Sequence, residues 1–201
     1  MGMDLYGLNP HNPKKLVKPT IDWSEEHTEE DEKLFFDSLN YYEKEVPGYY
    51  FRNNCWWWRP LWDYAYNFTN ILTEEEHTRG HHNDGQQIDS KKAEKLSFAL
   101  HKLIDSGHTK QYEDDYMKEY KKAEKFNKKI DEKLKALNEL VRLKTGSEEE
   151  WLAPAQFPPE YRKQWEDIYG ERKIHSSYPF SVDNVREFAN FCYQSGGFEI
   201  C

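Results

Sequence analysis

Apolar and aromatic side chains recur at Tyr112, Tyr116, Tyr120, Ala123, Phe126, Ile130, Leu134, Leu137 and Val141. That is 29 residues in eight steps, the 3.6-residue period of an α-helix, with Lys and Glu on the other faces. The spacing predicts a helix over residues 109–144, about 50 Å long at ~1.5 Å per residue. A helix of that length must project, break, or pair with a partner helix, the last being a route to a homo-oligomer. Shorter patterns surround it. Residues 22–46 read as an acidic helical insertion opening at Ser24, with Leu34, Phe35, Leu39 and Tyr42 on a narrow apolar face and Pro47-Gly48 as its stop. Tyr49 to Phe51 has strand character, and Leu61, Tyr64, Ala65 and Phe68 follow at i, i+3, i+4 and i+7 behind Pro60, so an extended segment turns into a helix near Arg59. Residues 73–88 are polar with Gly80 and Asn83-Asp84-Gly85 and read as a loop. Asp89 or Ser90 then caps a helix carrying Ala93, Leu96, Ala99, Leu100, Leu103 and Ile104, which Ser106-Gly107 ends. Residues 145–160 form a connector and Tyr161 to Tyr169 a short helix. Ser181 caps a last helix with the stripe Val182, Val185, Phe188, Ala189 and Cys192, and SGGFEIC reads as a docked, strand-like tail. The expected fold is mainly α with a minor β component built from the aromatic segment and the termini. It is read as one domain, 1–201, with an N-terminal arm over 1–21.

Composition narrows the function classes. Of 201 residues 37% are hydrophobic and 16% aromatic, with 7 Trp, 14 Tyr and 11 Phe, enough for a packed core. The net charge is −9, and residues 22–45 hold ten acidic residues against two lysines, net −8, so the rest is close to neutral. An acidic chain of this kind is not expected to bind nucleic acid generally. No apolar run reaches membrane-spanning length, and MGMDLYGLNP lacks the basic and apolar regions of a signal peptide, so a cytoplasmic protein without a membrane partner is expected. Cys55, Cys192 and Cys201 are too few and too widely spaced for a disulfide framework or a structural zinc site.

Candidate chemistry concentrates in Arg52-Asn53-Asn54-Cys55-Trp56-Trp57-Trp58-Arg59, followed by Trp62. Three successive indoles cannot share one core face, whether in a strand or in a helix. Flat aromatics beside arginines and asparagines suit a nucleotide-like or other anionic small ligand: indoles stack on bases, guanidinium groups grip phosphate, and amides read polar edges. The competing reading is a hydrophobic hub whose arginines pair with carboxylates such as Asp63. A second constellation is His77-x3-His81-His82-x-Asp84, whose His81, Asn83 and Asp84 join the candidate binding residues. No third spaced carboxylate or cysteine accompanies it, so neither metal ligands nor a cofactor are assigned. Near the C-terminus, Tyr178, Ser181 and Arg186 flank a helix N-terminus suited to an anion, although Ser181 also serves as a plain cap.

The blocks MGMDLYGLNP, GYYFRNNCWWWRPLWDY, GHHNDGQQID and YPFSVDNVREF with SGGFEI resemble a family of uncharacterised accessory proteins of bacteriophage genomes. The resemblance covers about half the chain. Some members of that family carry a cysteine-rich knuckle between the third and fourth blocks, where this chain has its lysine-rich helix instead. The resemblance implies a phage-type protein in which the blocks are the folding or functional nucleus and the intervening segments are variable. Three functions follow as expectations. The first is a binding protein that holds an anionic or nucleotide-like ligand and sequesters a host signalling molecule. The second is a protein that blocks a host partner through its acidic segment and long helix. The third is a metal-assisted hydrolase of phosphorylated substrates using His81, His82 and Asp84.

Overall fold

A computed structural model describes residues 2–201. The mainly α reading holds. The order is β1 (Gly2–Gly7), α1 (Glu29–Glu45), β2 (Tyr50–Asn54), α2 (Cys55–Thr69), α3 (Glu74–Arg79), β3 (Gln86–Ile88), α4 (Ser90–Asp105), α5 (His108–Thr145), α6 (Pro159–Gly170), α7 (Val182–Gln194) and β4 (Phe198–Ile200). Two short 3₁₀ turns lie at Pro154–Gln156 and Ile174–Ser177. The residues divide into two compact units, one running up to Glu113 and resuming over Phe180–Cys201, the other Asp114–Pro179.

In the first unit the four strands form one antiparallel sheet in the order β2-β1-β4-β3. Each strand comes from one of the four sequence blocks, so segments up to two hundred residues apart are joined edge to edge. The registers Leu5↔Phe51, Leu5↔Ile200 and Ile88↔Phe198 put apolar side chains side by side. Met3 and Leu5 alternate with more exposed neighbours, as a strand with one covered face requires. Helices α4 and α7 pack on each other and α7 also meets α2 and β2, burying Leu96, Leu100, Val185, Phe188 and Phe191.

Several boundaries differ from the sequence expectation, each for a local reason. Helix α1 starts at Glu29 rather than at Ser24, because Thr28 and Asp31 form a capping box while the Ser24 amide and hydroxyl are held by Asp22 in a turn. Helix α2 begins at Cys55, four residues before Arg59, because the Asn54 side chain accepts from both Trp56 N and Trp57 N at 3.0 Å. Pro60 consequently lies inside the helix, where it supplies no N–H to the Trp56 carbonyl. Residues 73–88 are not a plain loop: a Thr73–Glu76 capping box opens α3, and β3 pairs with β4.

Helix α5 is unbroken from His108 to Thr145, close to the expected span, and from Asp114 onward it belongs to the second unit. Its buried seam is Ala123, Asn127, Ile130, Leu134, Leu137, Asn138 and Val141. Leu137 and Val141 join Leu152 and Phe157 in a small core against Tyr161, Trp165 and Ile168, and Asn138 bonds both the N–H and the C=O of Leu152. The expected stripe fails at one position, since Phe126 is outside and Asn127 is inside. Among the described residues no helix is long and apolar enough to cross a membrane.

Candidate metal centre

The tryptophan block builds the platform on which this site stands. Trp58 and Trp62, one helical turn apart on α2, are wholly buried and stacked at 5.1 Å, with Phe188 edge-on to Trp58 at 5.4 Å. A buried indole N–H needs an acceptor. Trp58 Nε1 donates to Gly80 O at 2.7 Å and Trp62 Nε1 to His77 O at 3.0 Å, so both buried rings are spent on fixing the C-terminal end of α3. Gly80 lies against the Trp62 ring so closely that a Cβ there would stand 2.3 Å from Nε1. The first turn of α3 is tied down separately: Glu76 closes the capping box and pairs with Lys92 of α4.

His77 and His81, four residues apart, present their rings on one side of this turn, and Asp63 of α2 faces them. The Tyr66 ring, one turn beyond Asp63, lies flat on His77 at 4.1 Å and 13°. Asp63 Oδ1 is 2.7 Å from His77 Nε2 and 3.1 Å from His81 Nε2, and the two nitrogens are 3.2 Å apart. Burial pushes the Asp63 carboxyl up, but the hydrogen bonds and charges of His81 and His77 more than offset it and hold the group below its ordinary range. The other ring nitrogen of His81, Nδ1, is buried with no hydrogen-bond partner in the protein.

Two Nε2–H groups can both donate to Asp63 Oδ1, and the same three atoms are near enough to one another to serve as ligands of one ion. A single cation at the centre suits all three donors. At a metal–ligand distance of ~2.05 Å, neighbouring ligands stand about 2.9 Å apart in an octahedron and about 3.3 Å in a tetrahedron; two of the three edges, 3.1 and 3.2 Å, fall in that range and the third, 2.7 Å, is slightly shorter. Two imidazoles and a carboxylate are a recognised set for zinc or ferrous iron. The Asp63 side chain remains 47% exposed against 22% for each histidine, so an ion held by the three would be reached by solvent from the carboxylate side.

Of the residues expected from sequence, His81 is in this cluster and His77 joins it. Asp84 and His82 do not: Asp84 turns to Arg79 at 3.7 Å and His82 is exposed outside the cluster. Asn83 donates to Gly2 O, tying the turn to β1. Trp58 and Trp62 are core rather than ligand contacts, because neither has exposed surface. Asn54 is a helix cap, and Asn53 donates to Asn184 Oδ1, whose own amide reaches Trp57 O. Arg52 faces Asp4 across the β1–β2 pairing at 3.6 Å. Ser181 caps α7, Arg186 pairs with Asp183 in that helix's first turn, and Tyr178 lends its carbonyl to Tyr116. Trp56 at 47% exposure and Arg59 remain on the outer side of α2, and with Asp63 they fall at i, i+3 and i+7 along one helical face. Asp63 is the residue the sequence reading missed as a ligand; its only signal was a carboxylate one turn before Tyr66 on a helix preceding an i, i+4 histidine pair. No known family, no curated protein and no solved structure matches this chain.

Proposed function

We propose that the protein is a metal-dependent hydrolase of a phosphorylated, nucleotide-like substrate, with a divalent first-row ion such as zinc held by Asp63, His77 and His81. The convergence of three donor atoms within 3.2 Å of one another carries this reading. Three protein ligands leave positions for water and substrate, and a bound dication lowers the pKa of that water toward neutrality. One carboxylate against a dication leaves the centre net positive, which favours an anionic substrate. Trp56, Arg59 and Asp63 then form a line about 10 Å long at 1.5 Å per residue, the order required to stack a base, grip a phosphate and meet the metal. The phage resemblance adds the suggestion that the substrate is a host signalling nucleotide.

Titration of the full-length protein with Zn²⁺ and Co²⁺, followed by turnover assays on nucleoside mono- and polyphosphates, tests the reading. One ion per chain, a Co²⁺ visible spectrum lost in Asp63→Ala, and metal-dependent phosphate release are expected. A protein that takes up no stoichiometric ion overturns it. Ion binding with nucleotide binding but no turnover would replace the hydrolase by a metal-assisted binding protein. A second reading, an interaction protein, is favoured by the aromatic group Trp23, Phe35 and Phe36, in mutual ring contact with Leu34 67% exposed beside it, on the most acidic part of the chain. Loss of partner binding on Leu34→Glu, with metal uptake intact, would separate the two.

A further inference from the structure

The misplacement on α5 points to a second site. Helical spacing puts Ala123, Asn127, Ile130 and Leu134 in the buried seam, so a polar residue lies inside and the aromatic Phe126 lies outside, 38% exposed. Asn127 earns its place: its amide donates to Lys173 O at 3.0 Å and Ser176 Oγ at 2.7 Å, and its oxygen accepts from Lys173 N at 2.9 Å. The Tyr116 hydroxyl donates to Tyr178 O, and its ring lies 4.5 Å from that of His175. These bonds hold residues 173–178 beside α5, and between the two lies a cavity of about 510 Å³ lined by Glu119, Lys122, Ala123, Phe126, Lys173 and His175. That volume falls in the usual range for small-molecule sites, about 300–1,000 Å³.

We propose that this cavity binds a small amphipathic carboxylate, with its hydrocarbon body against Phe126 and Ala123 and its head at the Lys173 ammonium. The walls are mainly carbon: the Phe126 ring, the Ala123 methyl and the methylene stems of Lys122 and Lys173. Lys122 is paired with Glu119 at 2.6 Å, whereas Lys173 has no carboxylate partner among the described residues and stands 5.5 Å from the centre of the Phe126 ring. One uncompensated cation at the rim of an apolar wall is the complement of an anion with an apolar tail. The cation–π contact alone would need no concavity, and the Asn127 clamp fixes the backbone that presents Lys173, so the site is organised before the ligand arrives.

The test is a titration of the ¹⁵N-labelled full-length protein with decanoate below its micelle concentration, and with decanol as the uncharged counterpart. Saturable shifts confined to the amides of residues 119–127 and 173–176 are expected, with decanol and the Lys173→Gln variant each weaker by roughly tenfold or more. Phe126→Ser should abolish binding without changing helical circular dichroism, because the side chain is outside the seam. Asp63→Ala should bind decanoate like the wild type, which keeps this site independent of the metal centre. Absent or dispersed shifts, or equal affinity for decanoate in Lys173→Gln, overturn the proposal.

Discussion

Gly80→Ala sets two physical effects against each other with opposite signs. Gly80 caps α3 in the right-handed region at φ −65° and ψ −8°, a conformation alanine adopts freely. On backbone grounds alone, replacing glycine there stabilises by about 0.4–1 kcal/mol through the unfolded chain. Packing says otherwise. The new methyl would stand 2.3 Å from Nε1, 2.4 Å from Cε2 and 2.7 Å from Cζ2 of Trp62. Trp62 has no room to yield, since it is wholly buried, stacked on Trp58 and bonded to His77 O. Relief must come from displacing the turn at Gly80, which stretches the bond from Trp58 Nε1 to Gly80 O. Overpacking of a rigid core costs about 1–3 kcal/mol and a buried indole left without its acceptor a further ~1–3 kcal/mol. The net expectation is destabilisation by about 1–6 kcal/mol, read by urea unfolding followed by circular dichroism, with weakened Zn²⁺ uptake because His77 and His81 flank the displaced residue. In a Trp62→Leu background, itself destabilised, Gly80→Ala should cost much less than in the wild type, since the clash partner is then gone. Equal or raised stability in Gly80→Ala alone would refute the packing argument and with it the claim that the indoles position α3.

Three further outcomes follow from the same geometry. If Asp63, His77 and His81 hold an ion, Zn²⁺ at a hundredfold excess over its Kd should stabilise the wild type by about 2.7 kcal/mol, measured as a rise in Tm that Asp63→Ala and His77→Ala abolish. Asn54→Ala should lower stability by about 1 kcal/mol, because one side chain serves both Trp56 N and Trp57 N; thermal melts check it. For Glu76, burial pushes the carboxyl up, but the Lys92 ammonium and the Thr73 amide and hydroxyl outweigh it and leave the folded pKa below the unfolded one. Its contribution is therefore full above the ordinary glutamate pKa of ~4.3 and is lost as pH falls through the folded value. Glu76→Gln should lower Tm at pH 7 and cost progressively less below pH ~4, and a constant difference across that range would contradict the assignment.

The fold was legible where periodicity and caps agree. The 3.6 period gave α5, Ser181 gave α7, and Ser106-Gly107 gave the break before α5, because local side-chain spacing decides those elements. It was not legible where a remote partner decides. Residues 86–88 become a strand only because β4, more than a hundred residues later, offers its edge, and the short acidic stretch before them becomes α3 only because Trp58, Trp62 and Lys92 anchor it. The site follows the same division. The histidine pair is visible in the sequence as an i, i+4 spacing, while Asp63 lies fourteen residues earlier on another helix and reaches His77 only through the α2–α3 packing.

That packing also explains why the tryptophan run reads as a pocket in the sequence. A run of three indoles and a fourth after Pro60 looks functional because no single face can bury it, and the helix indeed divides it: Trp58 and Trp62 turn inward while Trp56 stays 47% exposed. The inward pair has no exposed surface, yet each donates its one N–H to a carbonyl next to or within the histidine turn. An aliphatic core of equal volume would fill the space and leave the position of α3 along α2 unspecified, because dispersion contacts are non-directional whereas an N–H bond is not. On the proposed function, the rings are thus positioning residues for a centre whose donor atoms must meet within a few tenths of an ångström. Trp58→Phe and Trp62→Phe, which retain most of the apolar volume and remove the N–H, should therefore weaken Zn²⁺ affinity by more than their effect on global stability accounts for. A loss of affinity no larger than that of a core substitution remote from α3, such as Leu100→Ala, would reduce the block to packing alone.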